Sequence, residues 1–113
     1  MAAYVSNIII DQGADFTQTF NLEGSNNAPL NLTGYSGASF MKKSTRSLTN
    51  TATFTVSFPN RVAGQLRISL TPAITSGLKP GRYSYDILID NGSTKTRIVE
   101  GSAIVTAGVT TTI

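Results

Sequence analysis

Any chemistry in this chain must come from carboxylates, lysines and hydroxyls, because its 113 residues include no histidine and no cysteine. The commonest general base and the commonest metal ligand are therefore absent. Disulfides, thiolate nucleophiles and cysteine metal sites are excluded as well. The six acids are Asp11, Asp15, Glu23, Asp86, Asp90 and Glu100. Asp86 and Asp90 share one strand parity, but four residues of extended chain set them about 13 Å apart, beyond the spacing of paired glycosidase carboxylates. They read as solvated residues of one strand face. Asp11 and Asp15 flank Gly13, where Asp is an ordinary turn former. A weak calcium site is the alternative there, although no EF-hand-like ladder of ligands accompanies it. The serines have no histidine partner and no Gly-x-Ser-x-Gly elbow, and phosphate-cradling glycine loops are missing. No catalytic residue, cofactor or metal is expected, and the chain reads as a non-enzyme.

The charges are few and segregated. Only 13% of residues are charged, against about 25% in a typical domain. Either Thr, Ser and Asn hydrate the surface, or much of it is covered in an assembly. Residues 1 to 40 contain three acids and no base, whereas residues 41 to 82 contain seven bases (Lys42, Lys43, Arg46, Arg61, Arg67, Lys79, Arg82) and no acid. Such segregation lets the basic region of one molecule meet an acidic region of another. Nucleic acid is the rival partner for a chain of net charge +3, but aromatic residues are not interleaved with the bases as stacking would require. No run reaches the roughly 18 apolar residues of a membrane helix, and no basic region precedes an apolar run as in a secretory signal.

The elements that must position these residues are strands. Val5 to Ile10 is a nearly continuous apolar run. Phe16, Phe20 and Leu22 alternate with polar neighbours, as do Phe54, Val56 and Phe58, Leu66, Ile68 and Leu70, and Tyr83, Tyr85, Ile87 and Ile89. This two-residue period marks half-buried strands. Tyr35 to Lys42 is a further strand, with Ala38 and Phe40 expected inside, and Leu30 to Thr33 a short connection. The last strand runs from Thr94 to about Val105, with Val99, Gly101, Ala103 and Val105 inward. Seven strands without an internal linker predict a single all-β domain over residues 1–113, an immunoglobulin-like antiparallel sandwich.

Between strands the breakers are specific. Asn91-Gly92 predicts a tight type I′ hairpin. Thr71-Pro72 through Leu78 predicts one helical turn near residues 71–78, capped by Thr71, with Ile74 and Leu78 packing inward. The following Lys79-Pro80-Gly81-Arg82-Tyr83 predicts a tyrosine corner, its ring under the bend and its hydroxyl on upstream backbone. An aromatic contact surface at Tyr83 and Tyr85 is the alternative.

Several blocks carry a resemblance. They are Tyr4 to Ile10 with Gly13 to Phe16, Leu30 to Tyr35, Met41-Lys42-Lys43, Leu78 to Ile87, and Arg97 to Gly101. Through them the chain resembles small virion structural proteins of tailed bacteriophages, particularly phages of marine cyanobacteria. It resembles more loosely the immunoglobulin-like domains of phage baseplate and fibre proteins. The resemblance implies a virion part, assembled in the host cytoplasm, whose partners are other virion proteins: major capsid, tail or baseplate proteins. It implies a capsid decoration protein or a tail, neck or baseplate accessory; homo-oligomerisation is a further expectation. The expected contact residues are Tyr4 in the N-terminal arm, Lys42, Lys43 and Arg46 in the soft stretch to Thr51, and Val109 and Ile113 in a Thr-rich tail that reads as tied down. The alternative function is a carbohydrate- or host-surface-binding module, which the absence of Trp disfavours.

Overall fold

The computed structural model describes residues 4–24, 28–44, 46 and 51–110. Eight strands and one helical turn follow one another: β1 (Tyr4–Val5), β2 (Ile8–Asp11), β3 (Phe16–Asn21), β4 (Ser36–Lys42), β5 (Ala52–Asn60), β6 (Gln65–Leu70), α1 (Pro72–Thr75), β7 (Gly81–Asp90) and β8 (Lys95–Thr106). Their order across the curled sheet is β1-β8-β7-β4-β5-β6-β3, with β2 also on β8. β5 turns the corner: Ala52 to Phe54 pair with β4, and Thr55 to Asn60 pair with β6. The first sheet is thus β1/β2, β8, β7, β4 and the start of β5; the second is β5, β6 and β3. This is an all-β, immunoglobulin-like sandwich, with β1 and β2 as two halves of one edge strand.

That edge is parallel to β8, while the other pairings are antiparallel. The apolar run of residues 5 to 10 is broken at Ser6-Asn7, and both breaking residues are bonded across. The Ser6 amide donates to the Glu100 carbonyl at 2.9 Å. The Asn7 side-chain oxygen accepts from the Ser102 amide at 3.0 Å. Gly101 has to be glycine here, since a Cβ would stand 2.1 Å from the Ser6 carbonyl oxygen.

The core lies between the sheets and follows the alternation of β6 and β7: Leu66, Ile68, Leu70, Tyr83, Tyr85, Ile87 and Ile89 are all buried. Phe16, Phe54 and Tyr85 form a tilted aromatic run with centroids 5.8 and 6.0 Å apart, a geometry that suits the ring quadrupoles. A register shift between Ile87 and Leu88 places an extra β8 residue opposite β7. Both Ile98 and Val99 are consequently buried, as a bulge allows.

Four expectations need correction. On β4 the inner residues are Ser39 and Met41, and Phe40 points outward with Ala38. Ser39 tolerates burial because its hydroxyl donates to the Asp86 carbonyl at 2.6 Å, so no unpaired polar atom results. In α1 the inward residue is Thr75, Leu78 just beyond it is buried as expected, and Ile74 is exposed. Thr71 makes no side-chain cap. The turn is fixed instead by Thr75, whose hydroxyl donates to the Ala14 carbonyl at 2.8 Å and accepts from the Gly13 amide at 3.2 Å. Finally, β7 and β8 are joined by four residues, 91 to 94. The Asn91 side-chain oxygen accepts from the Ser93 and Thr94 amides, and Gly92 supplies a φ of 96°. The hairpin falls where expected but has a longer loop than a two-residue turn.

Candidate interaction face

The outward face of the first sheet holds the candidate site. Pairing registers align Phe40 of β4 with Asp86 of β7, Asp86 with Glu100 of β8, and Glu100 with Val5 of β1. These four side chains form a row across four strands. One step along the strands lie Lys42 and Ser84; one step the other way lie Ala38, Leu88 and Arg97. Together Val5, Phe40, Lys42, Asp86, Arg97 and Glu100 rim an open depression of about 680 Å³. Its floor reaches Tyr85 and Gly101.

Two tyrosines fasten the sheet beneath this face to neighbouring backbone. Tyr83, buried, donates to the Lys79 carbonyl at 2.6 Å, completing the tyrosine corner around Pro80-Gly81. Tyr85, also buried, donates to the Ser6 carbonyl at 2.6 Å, fastening the N-terminal edge to β7. Burial pushes the Tyr85 hydroxyl up to about 12, against a smaller opposing effect from the Ser6 side chain. Both hydroxyls are spoken for and both rings are inside, so the tyrosines do not form an aromatic contact surface.

Electrostatically the face is mixed. Arg97 and Asp86 are paired at 3.1 Å, an exposed contact of the kind worth little in stability. Lys42 and Glu100 enter no side-chain hydrogen bond or ion pair among the described residues. The apolar members are unusually open, Val5 at 76% and Phe40 at 40% exposure, with Ile9 and Tyr4 also exposed along the same edge.

Of the residues expected to make contacts, Lys42 stands on the rim of this depression and Tyr4 beside it in β1. Lys43 and Arg46 are exposed just beyond the end of β4. Positions 45 and 47–50 of that stretch lie outside the described residues, as does Ile113. The tail is fastened as far as Gly108, whose amide donates to the Gln12 side chain at 3.1 Å. Val109, however, is 96% exposed and so does not tie the tail down. The acids divide by role: Asp90 accepts from the Gly92 amide in the hairpin loop, Asp11 accepts from the Thr106 hydroxyl, and Asp86 holds Arg97.

Sequence reasoning missed Phe40, Arg97 and Glu100 as members of one site. The register that gathers them joins positions as distant in the chain as Val5 and Glu100; only the alternation of β7 offered a local signal for Asp86. Compared with models of protein families and with curated proteins, the chain matches none.

Proposed function

We propose that this chain is a non-enzymatic structural domain of a tailed-phage virion that docks on a repetitive protein lattice, as a capsid decoration protein or a tail, neck or baseplate accessory. The observation that carries this reading is the outward display of large apolar side chains, Tyr4, Val5, Ile9, Phe40 and Val109, on a framework with a well-filled interior. Such groups on a chain with 13% charged residues suit a surface that neighbours cover. The resemblance of several sequence blocks to phage virion proteins supports the same reading. Two of them, Tyr4 to Ile10 and Leu78 to Ile87, build the edge strand and the tyrosine corner that stiffen the body.

Lys43 and Arg46, exposed where β4 ends, are the contacts that steer docking onto an acidic neighbour. Exposed charges act mainly on association rate and are screened by salt. The test adds purified chain to particles that lack it. Lys43→Glu with Arg46→Glu should slow capture at low salt and leave the melting temperature unchanged. Capture at the parental rate would move docking to other segments. No capture by any particle, with retention on host glycans instead, would replace the virion reading by a carbohydrate-binding one.

A further inference from the structure

We infer that the outer face of the first sheet is where two copies of this chain pair, related by a two-fold axis. The inference goes beyond the virion reading and does not depend on it. It starts from the two charges on the rim of the depression that have no partner among the described residues. Lys42 stands on β4, level with Ser84. Glu100 stands two strands away on β8, level with Asp86. Two strand spacings and two residues of rise separate their backbones by about 12 Å, and the two side chains form no ion pair within one molecule. The other charges of the depression, Asp86 and Arg97, already satisfy each other.

Within the depression the sum is neutral, Lys42 and Arg97 against Asp86 and Glu100. A polyanion or a polycation gains no net attraction there. A second copy does. A two-fold axis normal to the sheet and crossing β7 between Ser84 and Asp86 would leave each copy on its own site, so the axis must lie in the interface, between the two faces. Set there, over that stretch of β7 and oblique to the strands, it brings each Lys42 against the other copy's Glu100, twice over, as an isologous interface requires. The same operation lays each Phe40 against the sheet of the other copy. Sheets stack about 10 Å apart face to face, a gap that Phe40 and Lys42 side chains fill from both sides. Asp86, the acid nearest the axis, arrives already neutralised by Arg97. Phe40 and Val5 lose their exposure to water, which supplies the driving force, while the Lys42–Glu100 pairs fix the register.

Sedimentation of the full chain over a range of concentrations tests this. The parent should pass from monomer to dimer. Lys42→Glu sets like charges opposite each other at both contacts, and so does Glu100→Lys; each should weaken self-association by about tenfold or more. Both residues lie on the surface, so circular dichroism and denaturant midpoints should match the parent. Mixing the two variants is decisive. The introduced glutamate of one variant then faces the introduced lysine of the other, and the retained Lys42 faces the retained Glu100. The mixture should form a heterodimer although neither variant pairs with itself. A parent that stays monomeric, single variants that pair as the parent does, or a mixture that fails to pair would each overturn the inference.

Discussion

The two faces of the first sheet use the same strands to different ends. On the inner face β7 presents Tyr83, Tyr85, Ile87 and Ile89, all buried, and both hydroxyls reach a backbone carbonyl at 2.6 Å. Among the described residues no buried side-chain nitrogen or oxygen lacks a hydrogen-bond partner. On the outer face the same β7 presents Ser84, Asp86 and Leu88, bordered by an open Phe40, an open Val5 and the charges of Lys42 and Glu100. Folding has satisfied one side and left the other with groups that suit an outside partner. The difference teaches where to look for function in a chain without histidine or cysteine: at the face whose physical requirements remain unmet.

If that contrast holds, substitutions on the inner face should cost stability. Tyr85→Ala should cost about 3–5 kcal/mol, since it removes a buried aromatic side chain and the anchor of the Ser6 carbonyl; denaturant midpoints measure it. Gly101→Ala should follow, at about 1–3 kcal/mol, because its Cβ would collide with the Ser6 carbonyl oxygen. Hydrogen exchange should show the Ser6 and Ser102 amides losing protection first. Tyr83→Phe keeps the packing and removes one hydrogen bond to Lys79, so about 1 kcal/mol is expected. An unchanged midpoint would mean the corner is held by packing alone.

The Tyr85 hydroxyl adds a pH test. In the unfolded chain it loses its proton near pH 10, whereas in the folded chain burial delays this to about 12. Between those values the unfolded state binds fewer protons, so stability falls as pH rises. The contribution is fully present below about pH 10. Tyr85→Phe removes this group from the titration, and its midpoint should decline less steeply than the parent's over the same interval.

Much of the fold was legible because β6 and β7 keep a strict alternation, which assigns Leu66, Ile68 and Leu70 and Tyr83, Tyr85, Ile87 and Ile89 to the interior without ambiguity. The tyrosine corner was legible because Pro80-Gly81 and Tyr83 are local to one another. β4 was not, since Ala38 and Phe40 compete with Met41 for the inner face. The decision turned on a Ser39 hydroxyl meeting the Asp86 carbonyl, 47 residues distant. Ile74 misled for a similar reason. A single helical turn has too few residues to show a period, and its orientation was set by Thr75 reaching the turn at Gly13-Ala14. Lys42 and Tyr4 stand out from local charge and position. Their companions Phe40, Arg97 and Glu100 come together only through strand register, which a local pattern does not encode.

The unmet requirements of the outer face can be tested at Phe40. Phe40→Glu places a charge in the middle of that face while leaving the buried residues as they are. Sedimentation and denaturant titration of parent and variant, side by side, separate association from folding. The variant should remain monomeric at concentrations where the parent pairs, and its midpoint at dilutions where both are monomeric should stay within about 0.5 kcal/mol of the parent's. Equal association of the two chains would show that the outer face is not the place where copies pair, and a large loss of stability in the variant would show that Phe40 serves the fold.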